Sequence, residues 1–100
     1  MSDDRIKEID AEEMETLIEQ GALLVDCREE EELDAGVIDG YVHWPLSQIE
    51  DYQNEVPDDK EIVIYCRSGR RSLKAADIIS NWTDKNIYSL AGGYLGYSGE

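Results

Sequence analysis

Several residue types are scarce in this 100-residue chain, and each scarcity argues against a class of protein. Two cysteines and one histidine are too few for a disulfide scaffold, and they give little support to a cysteine-rich zinc site or a Cys-His-Asn protease. No segment approaches the roughly 20 apolar residues of a membrane span. The first ten residues, MSDDRIKEID, lack the apolar segment of a signal peptide. We therefore expect a cytoplasmic protein in a reducing compartment.

Basic residues are also scarce. Nine Lys and Arg stand against 24 Asp and Glu, for a formal net charge of −15. Nucleic acids and anionic membranes would be repelled, so we expect neither as a partner. An acidic surplus with only four Lys also fits a protein kept soluble in high salt. One hundred residues support one modest hydrophobic core, which predicts a single domain over residues 1–100.

The hydrophobic pattern predicts strands that alternate with helices. The predicted strands are Ile6–Ile9, Ala22–Val25, Tyr41–Trp44, Ile62–Tyr65 and Ile87–Ser89. Five helices are predicted. The first follows the Asp10/Glu13 capping pattern, the second covers Glu29–Ala35 and the third begins after a Ser47 cap. The fourth covers Arg71–Asn81, and the fifth follows Gly92 and Gly93. Two of the strands are continuous apolar runs, which is typical of a parallel sheet covered on both faces. The fold class is therefore α/β, a three-layer α/β/α domain around a five-stranded parallel sheet.

One short segment gathers positive charge in this acidic chain. Arg67, Arg70 and Arg71 lie within five positions of Cys66, which directly follows an apolar strand. Ligands bind at the carboxyl ends of such strands. A turn at Gly69 and the start of the next helix would direct backbone N–H groups toward the sulfur. These groups and the arginines lower a thiol pKa and favour an anion with several oxygens, so we predict a reactive thiolate at Cys66.

The chain resembles single-domain rhodaneses, which are thiosulfate sulfurtransferases, over nearly its whole length. Leu23 to Glu29 reads L-L-V-D-C-R-E, as the second strand of that family does, and the loop pattern C-R-x-G-x-R-S is complete from Cys66 to Ser72. Further matches are Gly36, Ile38, Gly40, Pro45, Gly92, Gly93 and Tyr97. The departures are Val37, Tyr41 and His43, which lie around the third strand and bear on the shape of the pocket.

The resemblance implies that Cys66 attacks the outer sulfur of thiosulfate, releases sulfite and holds the sulfur as a persulfide. A thiol, a sulfur-carrier protein or cyanide would then accept that sulfur, and no metal or cofactor is needed. Arg67 and Arg71 would orient the donor's sulfonate oxygens, and Asp26 and Arg28 would brace the loop by ion pairing. The substrate-binding residues implied in this way are Arg67, Ser68, Gly69, Arg70, Arg71 and Ser72.

Two other functions fit parts of the pattern. Cysteine phosphatases and arsenate reductases of a related fold use C-x5-R, but here Ser72 stands six positions after Cys66 and Arg71 comes one residue early. A tighter loop favours one sulfur atom over a tetrahedral phosphate. A non-catalytic binding module is the second alternative, and the intact Cys66 argues against it.

Several residues near the loop have a structural interpretation beside the chemical one. Cys27 is expected to be a buried hydrophobic residue, with a resolving thiol for Cys66 as the alternative. Arg70 belongs either to the solvated surface or to the substrate contacts. His43 is expected to pack on its strand, and the acidic residues Glu29–Glu32 are expected to form a solvated face. Tyr94 and Tyr97 would pack the last helix against the sheet.

Overall fold

Five short parallel strands form the single sheet of the computed structural model, which describes residues 4–98. The strands are β1 (Ile6–Ile9), β2 (Leu23–Asp26), β3 (Val42–His43), β4 (Ile62–Tyr65) and β5 (Ile87–Leu90). Their order across the sheet is β1-β5-β4-β2-β3, so β4 and β2 lie side by side near its centre. The predicted five-stranded parallel sheet is therefore confirmed.

Helices cover both faces of this sheet. They are α1 (Ala11–Glu19), α2 (Arg70–Ile79) and α3 (Gly93–Ser98), with two 3₁₀ helices at Glu30–Ala35 and Leu46–Glu55. One buried cluster joins one face of the sheet to α1, and it includes Met14, Leu24, Val63, Tyr65 and Leu90. The other joins the opposite face to α2 and the second 3₁₀ helix, and it includes Val25, Cys27, Ile64, Cys66, Ala76 and Ile79. The two clusters establish the predicted three-layer arrangement.

The capping box that begins α1 forms as predicted. The Glu13 N–H donates to Asp10 Oδ1 at 2.8 Å, and the Asp10 N–H donates to the Glu13 carboxylate at 3.5 Å. The two groups satisfy donors that a helix N-terminus otherwise leaves unpaired. The cap predicted at Ser47 is wrong, because Pro45 occupies that position. The Ser47 hydroxyl instead donates to the Glu29 carboxylate at 2.7 Å.

Several boundaries differ from the pattern in the sequence, and β2 and β5 each end one residue later than predicted. β3 has two residues where four were predicted, since only Val42 and His43 pair with β2. α2 begins at Arg70, one residue earlier than predicted, and ends at Ile79, before the predicted Asn81. In the last helix Tyr94 is partly buried, whereas Tyr97 is 39% exposed. Within residues 4–98, no helix is long and apolar enough to cross a membrane.

Candidate active site

The loop after β4 brings the chain back over the sulfur of Cys66. Gly69 makes this turn with φ +103°, in the left-handed region that favours glycine, and α2 begins at the next residue. A Cβ on Gly69 would lie 3.2 Å from the backbone N of Gly92, so the turn also leaves little room for a side chain. The loop and the first turn of α2 are thereby held against the end of the strand.

The loop surrounds Cys66 Sγ with hydrogen-bond donors. The Gly69 N–H donates to Sγ at 3.0 Å and the Ser72 N–H at 3.4 Å. Ser72 Oγ lies 3.5 Å from Sγ and 2.6 Å from the hydroxyl of Ser89 on β5. Cys66 is 0% exposed, so the sulfur lies at the bottom of this ring. The predicted inward-facing amides are therefore present.

The second cysteine lies beside the first. Asp26 at the end of β2 pairs in register with Tyr65 at the end of β4. The Cys27 N–H continues the ladder by donating to the Tyr65 carbonyl at 3.0 Å. Cys27 is 0% exposed and belongs to the same buried cluster as Cys66. The prediction that Cys27 is buried is confirmed, and its neighbour is the sulfur of Cys66.

These contacts separate the pKa values of the two thiols. A hydrogen bond from Cys27, followed by those from Ser72 and Gly69, lowers the pKa of Cys66 to about 4 against the opposing effect of burial. The same hydrogen bond to Cys66, together with burial, raises the pKa of Cys27 far above its usual range. At neutral pH, Cys66 is therefore a thiolate and Cys27 a protonated thiol.

The three arginines of the loop differ in their contacts. Arg71 donates to both carboxylate oxygens of Glu32, each at 2.6 Å, which lowers the pKa of Glu32 to about 2 and raises that of Arg71. Glu32 therefore does not belong to a purely solvated face. Arg67 and Arg70 are exposed and form no ion pair within residues 4–98. They present the two uncompensated positive charges at the mouth of the loop.

Asp26 and Arg28 form the predicted ion pair, at 2.7 Å, and both are almost fully buried. The pair braces a different segment from the one expected. Arg28 donates to the carbonyl oxygens of Glu32 and Gly36 at 3.3 and 2.7 Å, and its guanidinium lies 4.7 Å from the ring centre of Tyr94. It therefore holds the middle and the C-terminal end of the acidic 3₁₀ helix, and it reaches the Cys66 loop indirectly, through Glu32 and through Tyr94.

α3 contributes to the loop through two backbone contacts that the sequence did not indicate. The Tyr94 N–H donates to the Cys66 carbonyl at 2.7 Å and the Leu95 N–H to the Arg67 carbonyl at 3.1 Å. Gly93 permits this approach, because a Cβ there would lie 2.5 Å from both carbonyl oxygens. Ser89 is the other residue missed, and its signal was a hydroxyl within the apolar strand I-Y-S-L.

A small cavity of about 110 Å³ opens beside the loop. Its lining residues are Arg28, Glu32, Ala35, Arg67, Tyr94 and Leu95. A larger cavity of about 340 Å³ lies at the opposite end of the strands, near Gly21 and Glu61, where no cysteine is present. Among residues 4–98, no three His, Cys, Asp or Glu side chains are arranged to hold a metal ion.

The residues predicted for this site separate into two groups. Cys66, Gly69 and Ser72 converge on the sulfur, whereas Arg67, Ser68 and Arg70 lie on its exposed rim. His43 lies further away, with its Nε2 2.7 Å from the Arg28 carbonyl, which is a structural contact. The substrate-binding roles of the loop residues stay predictions.

Comparisons with known proteins show what the chain is similar to. The family model described as "Rhodanese-like domain" matches residues 10–100. An uncharacterized Bacillus subtilis protein, YqhL, is 37% identical over 79 residues, which cover 79% of this chain and 63% of that protein. The thiosulfate sulfurtransferase GlpE of Pseudomonas syringae is 34% identical over 88% of this chain and 83% of its own length. The reduced Bacillus anthracis protein CoADR-RHD superposes with a TM-score of 0.85 and 32% identity, over 94% of this chain and 17% of that one.

Proposed function

The chain belongs to the rhodanese-like domain family, and on that basis we propose that it is a sulfurtransferase that carries sulfane sulfur as a persulfide on Cys66. The observation that supports this most directly is the ring of donors at Cys66 Sγ, where two backbone N–H groups lie at 3.0 and 3.4 Å. Such a ring stabilises the negative charge of a thiolate before transfer and of a persulfide after it.

In the first half-reaction, the Cys66 thiolate attacks the outer sulfur of thiosulfate. A new S–S bond forms, the bond between the two sulfur atoms of the donor breaks, and its electron pair leaves with sulfite. The pKa of about 4 keeps Cys66 ionised without a separate general base. Since Cys66 is 0% exposed, the side chains around the loop must move aside to admit the donor's sulfur.

In the second half-reaction, an acceptor nucleophile attacks the outer sulfur of the persulfide and restores the thiolate. Cyanide serves as the acceptor in an assay, and a thiol or a sulfur-carrier protein is the proposed cellular acceptor. Sulfite leaves before the acceptor reacts, and the persulfide form of the enzyme links the two steps, so the kinetics are ping-pong.

The charged rim supports an anionic donor. Arg67 and Arg70 are exposed beside the loop, in a chain whose net charge of −15 would otherwise repel an anion. The cavity beside Arg67 offers space for sulfonate oxygens next to a guanidinium. Arg71 would reach such oxygens from its ion pair with Glu32, so donor binding and that pair would compete for the same guanidinium.

The sulfurtransferase is tested by incubating the reduced protein with thiosulfate, quenching with acid and measuring the intact mass. The wild type should gain one sulfur atom at Cys66, and cyanide should remove it and yield thiocyanate. Cys66→Ser should neither gain sulfur nor form thiocyanate, whereas Cys27→Ser, the matched change at the neighbouring thiol, should still gain sulfur.

A phosphatase is the outcome that would replace this proposal. Robust release of phosphate from an aryl phosphate, with no gain of sulfur from thiosulfate, would overturn the sulfurtransferase. The length of the loop argues against that result, because Arg71 comes one residue earlier than in C-x5-R and a shorter loop is less suited to surround a tetrahedral phosphate.

A further inference from the structure

Two thiols lie side by side at the carboxyl end of the central strands. Cys27 and Cys66 are the first residues after β2 and β4, whose last residues, Asp26 and Tyr65, are paired in register. Laterally paired residues of neighbouring strands direct their side chains to the same face. Both cysteines belong to one buried cluster, and the chain has no third cysteine. Each thiol therefore has the other as its only cysteine neighbour.

The spacing of the two strands suits a disulfide. Adjacent strands run about 4.8 Å apart, and bridged cysteines have Cα atoms about 4.4–6.8 Å apart. The Cys27 N–H bond to Tyr65 at 3.0 Å shows that this spacing persists beyond the last ladder pair. Both thiols are free in this structure, and the register of their strands places them at a spacing that a disulfide can bridge.

The two thiols differ in their protonation. Cys27 lies in the same buried cluster as Cys66, and the interaction of the two thiols raises the pKa of Cys27 and lowers that of Cys66, so the proton stays on Cys27. Cys27 therefore does not compete with Cys66 for a sulfur donor. Once Cys66 carries a persulfide, its inner sulfur becomes a disulfide-type electrophile, and the nearest thiol to it is Cys27.

We propose that Cys27 is a resolving thiol, which attacks the inner sulfur of the Cys66 persulfide when no external acceptor is present and releases the outer sulfur as hydrosulfide. This inference rests on the proposed function, because it needs the persulfide. The bond between Cys27 Sγ and Cys66 Sγ forms, and the bond between Cys66 Sγ and the outer sulfur breaks. The electron pair of that bond and the Cys27 proton both leave with the outer sulfur.

The electrons balance without a further oxidant. The outer sulfur is reduced to sulfide while the two cysteine sulfurs are oxidised to a disulfide. A dithiol reductant would then reduce the disulfide and restore both thiols. Over a cycle, thiosulfate and a dithiol yield sulfite, sulfide and an oxidised dithiol, which is a reductase activity beside the transfer activity. Because both cysteines are buried, only the internal thiol or a reductant that can open the loop can release the outer sulfur as sulfide.

The experiment follows the mass of the full chain with time under anaerobic conditions. Reduced wild-type protein is mixed with thiosulfate alone, samples are quenched with acid, and released sulfide is measured in parallel. We expect a transient gain of one sulfur atom, followed by a species lighter than the reduced protein by two hydrogen atoms. Sulfide should appear in an amount equal to that species, and peptide mapping should join Cys27 to Cys66.

Two variants isolate the resolving step. Cys27→Ala and Cys27→Ser should both gain one sulfur atom and keep it, with no release of sulfide. Cys27→Ser retains a hydrogen-bond donor beside Cys66, so its behaviour separates loss of the resolving thiol from loss of the hydrogen bond. It also serves if Cys27→Ala does not fold. Wild-type protein without thiosulfate should keep its reduced mass throughout.

The outcomes distinguish this inference from the function on which it rests. A wild-type protein that keeps its added sulfur, with no sulfide and no disulfide, would overturn the resolving role while leaving the sulfurtransferase intact. Sulfide release by Cys27→Ser as fast as by the wild type would also overturn it. If neither the wild type nor a Cys27 variant gains sulfur, the proposed function itself fails.

Discussion

β2 and β4 end at the same level of the sheet and each is followed by the dipeptide Cys-Arg, yet the two cysteines differ in their chemistry. After β4 the chain turns at Gly69 and places two N–H groups on the sulfur, which add to the effects of Cys27 and of the Ser72 hydroxyl in lowering the pKa of Cys66. After β2 the arginine folds back onto the preceding carboxylate, no such turn follows, and Cys27 stays protonated. An adjacent arginine is therefore not enough to make a cysteine reactive here, because the neighbouring thiol, the Ser72 hydroxyl and the direction of the next few backbone amides decide which thiol ionises.

The largest effect is expected from breaking the ion pair at the end of β2. Asp26→Asn leaves the guanidinium of Arg28, which is 2% exposed, without its carboxylate. Removing one partner of a buried pair typically costs about 3–5 kcal/mol, so the free energy of unfolding in urea should fall by about that amount. Glu32→Gln breaks a partly exposed pair and is the matched control, with an expected loss of at most about 1 kcal/mol. Equal losses in the two variants would show that burial does not distinguish the two pairs.

The next largest effect is expected from removing the guanidinium of Arg71, whose ion pair with Glu32 joins the segments that follow β2 and β4. Arg71→Ala should raise the KM for thiosulfate roughly ten- to hundredfold, which corresponds to a lost charge-assisted contact of about 1.5–3 kcal/mol. Arg70→Ala, at the exposed neighbouring position, should raise it less. Steady-state kinetics of thiocyanate formation measure both values. If Arg70→Ala has the larger effect, the exposed rim binds the donor and Arg71 serves its ion pair with Glu32.

The sequence predicted the features that depend on residues close together in the chain, and it missed contacts between residues far apart in the chain. The apolar runs before Asp26 and Cys66 predicted the parallel sheet, and the glycine and arginine spacing predicted the sulfur-binding loop. The adjacency of Cys27 and Cys66 was predicted only in the alternative that Cys27 is a resolving thiol, because it depends on strand order and register, which short apolar strands do not encode locally. The Glu32–Arg71 pair spans 39 residues and was missed for the same reason.

A smaller effect should follow from removing the proton that Cys27 holds beside Cys66. Its hydrogen bond is the largest cause of the lowered pKa of Cys66, so Cys27→Ala should raise that pKa by about one unit or more, equivalent to about 1.4 kcal/mol. The rate of alkylation by iodoacetamide against pH measures the shift, and Cys27→Ser should restore part of it. An unchanged profile in Cys27→Ala would mean that the loop amides alone ionise Cys66.

The same thiolate makes folding depend on pH in a definite direction. The pKa of Cys66 lies below its ordinary value of 9.0, so its ionisation stabilises the folded state fully above that value. The contribution decreases as the pH falls toward about 4. The stability of the wild type relative to Cys66→Ser should therefore decline across this interval when both are unfolded in urea. A difference that does not change with pH would contradict the lowered pKa.

The smallest effect should come from salt, which should stabilise the fold by screening the acidic residues and should weaken anion binding at the loop after β4. The segment after β2 contains four consecutive glutamates, Glu29 to Glu32, and the whole chain carries 24 acidic residues against nine basic ones. Screening their repulsion should raise the melting temperature modestly from low to molar salt. The same screening weakens the attraction of Arg67 and Arg70 for an anionic donor, so the KM for thiosulfate should rise over the same range. A melting temperature that stays flat or falls would remove the interpretation of the acidic surplus as a salt adaptation. A KM that does not change would show that the exposed arginines take no part in attracting the donor.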